Sequence, residues 1–143
     1  MSETTKKRPE FRNINAFADL PSYRWPLAAL VSGMHRISGL LLFILLPFIV
    51  WMLDTSVTSE ISFARFTSIF SEGAGFLPGW FIKLVTLGLI WAYLHHFIAG
   101  IRHVYFDISH QTTKDRGRRT AAATMILAFG LTAILGAKLF GLY

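Results

Sequence analysis

The sequence predicts an all-α integral membrane protein: a three-helix bundle completed by helices of a partner subunit. Three observations predict it. Of 143 residues, 53% are hydrophobic and only 15% charged, and the mean hydropathy is +0.49, far above that of an ordinary soluble domain. The apolar residues gather into three runs, each longer than the roughly 20 residues needed to cross about 30 Å of hydrocarbon. The basic residues lie in segments between those runs, mostly on one side. The net charge of +6 therefore reads as a topology signal, not as a nucleic-acid footprint.

Residues 1–24 form a polar N-terminal segment ahead of a membrane domain at 25–143. The segment lacks the apolar stretch of about 7–15 residues that marks a secretory signal, and Glu3 and Glu10 argue against an organellar transit peptide. The first span is expected at about 25–53, with "LLLFILLPFIVWML" as its greasy half and Pro47 kinking it. Neighbouring helices make such a kink tolerable in a membrane. Residues 54–80 connect to the second span, and "ISFARFTSIF" within them suits a short interfacial helix. The second span is expected at about 81–106 and the third at about 120–143.

Lys6, Lys7, Arg8, Arg12 and Arg24 precede the first span, and Arg102, Lys114, Arg116, Arg118 and Arg119 lie around the second loop. The opposite side has only Arg65, Lys83 and Lys138. That bias places the N-terminus and the second loop in the cytoplasm, as expected for a multi-pass protein of a bacterial inner membrane; a mitochondrial inner membrane is the alternative. The chain has no cysteine, so it offers no thiolate metal site and no cysteine-held iron–sulfur cluster. It also lacks a Gly-rich dinucleotide fingerprint.

Ionisable groups inside apolar spans mark functional sites, and here they fall in two clusters. "SGMHRISG" (32–39) carries Ser32, His35 and Arg36; "YLHHFIAGIRHVYFD" (93–107) carries His95, His96, Arg102 and His103. Arg36 is followed by 17 residues without a charge before Asp54, about 25 Å of helix, so it lies in the inner half of its span. The second span returns from outside, which puts its histidines at the same inner level. His96, Gly100 and His103 share one helical face, at i, i+4 and i+7. Gly100 leaves room near His96 for a flat, bulky group or another helix. Gly33 and Gly39 thin the first helix. His95 sits on a face rotated by about 100° and suits an interhelical hydrogen bond. Neutral imidazole is a good haem-iron ligand. An Arg–Ser pair at i, i+4 offers donors to a quinone carbonyl.

These motifs, "SGMHRIS" (32–38) and "HFIAGIRHVYFD" (96–107), with "RP" at 8–9 and "RWP" at 24–26, resemble the cytochrome b subunit of succinate dehydrogenase, a small membrane anchor of respiratory complex II. The resemblance covers the whole three-helix layout. It implies that His96 is an axial ligand of haem b, whose second axial histidine comes from the other anchor subunit. It places His35, Arg36 and His103 beside the haem propionates, and Ser32 and Arg36 at the ubiquinone site. FAD and iron–sulfur clusters would lie only on partners, a flavoprotein subunit and an iron–sulfur subunit. A fumarate reductase anchor, a haem-free structural anchor and an anion-transporter subunit are the alternatives. "NAFADLPS" (15–22) is longer material than the enterobacterial form carries.

Overall fold

The computed structural model describes residues 13–143. Lys6, Lys7, Arg8, Pro9 and Arg12, used above for orientation and motif, lie outside them. The described residues form five helices: α1 (Leu27–Ile44), α2 (Leu46–Val57), α3 (Glu60–Ser68), α4 (Gly79–Ser109) and α5 (Lys114–Leu139). Of these, α1, α4 and α5 are long and apolar enough to span a membrane. They pack on one another as a three-helix bundle.

The first predicted span is broken. Leu45 leaves helical geometry at φ −89°, ψ 6°, and α2 restarts with Pro47 in its first turn. Proline has no N–H to donate one turn back and its ring crowds the preceding turn, so the path divides into α1 and α2. The predicted interfacial helix is α3. Ser59 caps it through a reciprocal capping box with Ser62: Ser62 N donates to Ser59 Oγ at 3.1 Å and Ser59 N to Ser62 Oγ at 2.9 Å.

Helix α4 has 31 residues, about 46 Å of rise, so it projects beyond a hydrocarbon layer of about 30 Å. It ends where His110 adopts a left-handed backbone, φ 51°. The short link that follows makes α5 its antiparallel neighbour. α5 begins at Lys114, six residues before the apolar run that marked it in sequence, because Thr113 accepts from Arg116 N at 3.4 Å and caps a basic first turn. It closes at Leu139, short of the expected Tyr143.

The bundle's interior is made largely of small residues. α4 turns Ile82, Thr86, Leu89, Ala92, His95 and Ala99 inward, and α5 answers with Ala121, Thr124, Ala128, Thr132 and Gly136. Such stripes let helix backbones approach closely, the usual way membrane helices gain packing energy without a hydrophobic driving force. A Cβ on Gly136 would meet Leu87 Cδ1 at 2.8 Å. Large apolar side chains point outward instead, among them Phe43 and Ile126, both more than 70% exposed. That inversion suits lipid or partner helices. The N-terminal "NAFADLPS" stretch folds as a turn: Asn15 Oδ1 accepts from Phe17 N at 3.0 Å, and Trp25 Nε1 donates to Leu20 O at 3.1 Å.

Candidate functional site

The polar clusters of α1 and α4 meet at one level, near the end of the bundle that carries the α4–α5 link, as the depth argument predicts. His35 stacks on His96, with ring centroids 4.1 Å apart and planes 11° apart. His103 lies 5.2 Å from His35, its ring tilted by 49°. Three imidazoles thus gather where two helices cross.

His96 is held by the backbone of α1. Its Nδ1 lies 3.1 Å from the His35 carbonyl oxygen. A carbonyl only accepts, so Nδ1 carries the hydrogen and Nε2 keeps its lone pair. Ser38, fully buried, donates its hydroxyl to the same carbonyl at 2.9 Å, and its Oγ lies 3.4 Å from His96 Nδ1. Gly39 lets the ring lie against α1: a Cβ there would stand 2.8 Å from His96 Cε1. Gly33, by contrast, meets nothing within 4 Å.

Beside His96 on α4 runs an open groove of about 370 Å³, lined by His96, Phe97, Gly100, Ile101 and Val104. The room expected at Gly100 is shared with α1, since a Cβ at Gly100 would lie 3.9 Å from His35 Nε2. That nitrogen is buried and has no hydrogen-bond partner among the described residues.

His95, one residue earlier, has a different fate. It is 0% exposed. Its Nε2 lies 3.4 Å from the Val31 carbonyl, and its ring stacks on Trp91 at 5.5 Å. It is a core histidine joining α4 to α1, turned away from the groove.

Ser32 lines a second groove of about 550 Å³ with Arg102, His103, Phe106 and Lys114. Arg102 is tied to α5: Nε donates to Thr120 Oγ1 at 3.1 Å and Nη2 to the Gly117 carbonyl at 3.4 Å. It also lies over the Phe106 ring, 5.0 Å from its centroid. Arg36 is exposed on α1. The structure therefore brings His35, His96 and His103 together. It sets Ser32 beside Arg102 and leaves the Arg36 guanidinium free to reach outward.

A flat, apolar group that brings its own equatorial ligands fits this surface. The groove supplies apolar contact, His96 a single oriented imidazole, and His35 a buried unpaired nitrogen. Among the described residues no set of three or more His, Cys, Asp or Glu side chains is placed to hold a metal ion. Sequence reasoning named the histidines but missed Ser38. The available signal was its position three residues after His35, one turn along α1.

Three helices of membrane-spanning length and apolar composition, with an imidazole cluster at a helix crossing, define a small all-helical protein of the multi-pass membrane class. The comparisons specify it further. Residues 4–136 match the family described as the succinate dehydrogenase/fumarate reductase transmembrane subunit, and the chain belongs to that family. It is similar to the succinate dehydrogenase cytochrome b556 subunit of Coxiella burnetii, 30% identical over 118 residues that cover 82% of this chain and 90% of that one. It is likewise similar to the cytochrome b556 subunit of Paracoccus denitrificans, 32% identical over 104 residues, covering 73% and 75% respectively.

Proposed function

We propose that this chain is an electron-transfer anchor of succinate:quinone oxidoreductase, seated in a bacterial inner membrane with its N-terminus in the cytoplasm. It shares one haem b with a second small anchor subunit and helps form the ubiquinone site. The observation that carries this reading is the His96 imidazole, whose Nδ1 hydrogen is committed to the His35 carbonyl at 3.1 Å, which leaves the lone pair on Nε2, while the residue lines an apolar groove. A ligating histidine characteristically commits its second nitrogen in this way. The names of the two relatives, both cytochromes b556, support the same reading.

Bound haem would supply a one-electron store near the quinone. His96 would ligate it through Nε2. His35, through its unpaired buried Nε2, with His103 and Arg36, would meet its propionates. Ser32 and Arg36 would donate to quinone carbonyl oxygens, and Arg36 would favour a reduced, partly anionic quinone. The large outward apolar side chains on α1 and α4 would pack against the second anchor. Succinate oxidation, FAD and the iron–sulfur clusters would belong to the flavoprotein and iron–sulfur partners. A fumarate reductase anchor would use the same residues in reverse, and a haem-free anchor would use them for packing alone.

The test is a reduced-minus-oxidised visible spectrum of the purified complex, with paramagnetic resonance of the oxidised form. His96→Ala should abolish the bis-histidine low-spin signal and His95→Ala should keep it. A wild-type complex without b-type haem, or equal loss in both variants, would overturn the assignment.

A further inference from the structure

We propose that Ser38 and Gly39 are positioning residues for His96, and that together they set which nitrogen the ring presents and how deep it sits. The proposal rests on the reading of His96 as a haem ligand, and adds to it two residues that touch no cofactor.

A free imidazole has two tautomers and a freely turning ring. As a ligand it must offer a lone pair from one fixed nitrogen in one fixed direction. Two neighbours on α1 remove this freedom. The first is the His35 carbonyl, which accepts from His96 Nδ1. That oxygen does not stand alone, because Ser38 donates to it at 2.9 Å and places its own Oγ 3.4 Å from the same Nδ1. The Nδ1 hydrogen thus faces two oxygens side by side. A flipped ring would set Cδ2 there and leave both without a donor from His96. Ser38 is fully buried, so no water can replace the hydroxyl. The second neighbour is Gly39. Its missing Cβ is the space that the Cε1 edge of the ring occupies, 2.8 Å from where that carbon would be, with Nδ1 at 3.1 Å. A face of the ring is covered by His35, stacked at 4.1 Å. The ring is therefore held by a glycine notch at its Cε1 edge and by a stacked imidazole, with its proton fixed by Ser38 and a carbonyl.

Three consequences follow for the assembled complex. Gly39→Ala pushes the ring off α1 and should displace or remove the low-spin signal. Ser38→Ala leaves the notch intact but loses one of the two oxygens facing Nδ1. It should retain haem, with a shifted low-spin g value and haem transfer to apomyoglobin faster by about 10- to 100-fold, the usual cost of losing such an outer hydrogen bond. Ser38→Thr keeps the hydroxyl and should return both readouts towards wild type.

The same series carries His96→Ala. If wild-type complex lacks b-type haem, or His96→Ala keeps the bis-histidine signal, the haem reading fails and this proposal with it. If His96→Ala loses the signal while Ser38→Ala matches wild type in g value and transfer rate, the positioning role alone is overturned. Should Gly39→Ala fail to assemble, the Ser38→Ala and Ser38→Thr pair decides. An alanine effect that threonine does not reverse would reduce Ser38 to packing and overturn the proposal.

Discussion

The imidazole of His35 on α1 lies parallel to that of His96 on α4, 4.1 Å between centroids and 11° between planes. Its Nε2 is buried and unpaired among the described residues. The residue thus combines a flat face used for packing with an edge nitrogen that has no protein partner. Substitution separates the two. His35→Phe keeps a flat ring and removes the nitrogen; His35→Ala removes both. If the nitrogen meets a haem propionate, the Phe variant should keep the low-spin signal of His96 but release haem about tenfold faster. The Ala variant should also broaden the signal, since the stack is gone. Transfer to apomyoglobin measures the first effect. A Phe variant that holds haem as wild type does would make His35 a packing residue only.

His95 predicts the opposite pattern. It is fully buried, bonded to the Val31 carbonyl and stacked on Trp91. His95→Ala opens a cavity and leaves a carbonyl less well satisfied, so the cost should fall on the bundle, about 2–4 kcal/mol. The check is thermal unfolding of the complex in detergent alongside its paramagnetic spectrum. The midpoint should fall while the low-spin signal stays in place. Unchanged stability with an altered signal would reverse the roles given to the two adjacent histidines.

Much of this was legible in the sequence, and the reasons are physical. Span lengths follow from bilayer thickness, so three helices of membrane-spanning length, the Pro47 interruption and the short helix at 60–68 all appear in pattern alone. Helical periodicity separated His95 from His96 and put His96 with Gly100 and His103. Other features depended on how α1 meets α4. Periodicity within one helix cannot show that His35 would fill part of the space beside Gly100, or that Ser38 would face the His96 nitrogen across the helix crossing. The apolar run also begins inside α5 rather than at its start, because a capped polar turn is helical without being apolar. Ser32 and Arg36, one turn apart in sequence, diverge for a similar reason: Ser32 faces a groove lined by α4 and α5, and Arg36 is exposed.

Orientation can be tested cleanly because the chain has no cysteine. Single cysteines at Thr58, before α3, and at Gln111, between α4 and α5, lie in exposed links at opposite ends of the bundle. With the basic loops in the cytoplasm, a membrane-impermeant thiol reagent added to intact spheroplasts should label Thr58→Cys and spare Gln111→Cys. Inverted membranes should give the reverse. Labelling of Gln111→Cys in intact spheroplasts would invert the proposed topology.

The last prediction concerns Ser32 and Arg36, and it separates quinone binding from packing. Ser32 is half-buried in the groove shared with Arg102 and His103. Arg36 stands one turn further along α1 and is exposed, placed to meet a partner or a ligand rather than this chain. A quinone head needs donors at its carbonyl oxygens in a site dry enough to hold the ring. Ser supplies a hydroxyl, and Arg a planar set of N–H donors with a fixed charge. Ser32→Ala and Arg36→Leu should therefore lower succinate:quinone turnover at least tenfold, since each loses a donor to developing charge. Succinate oxidation by an artificial soluble acceptor should stay near wild type, because the flavin end is untouched. Arg36→Lys should recover part of the activity: the point charge survives, but the planar fork does not. Arg102→Ala serves as contrast, since its hydrogen bonds to Thr120 and Gly117 tie α4 to α5, and its loss should lower the yield of assembled complex. Paired steady-state assays on haem-replete complexes supply the measurement. If Ser32→Ala and Arg36→Leu keep wild-type quinone turnover and inhibitor sensitivity, both residues are structural and the quinone binds elsewhere.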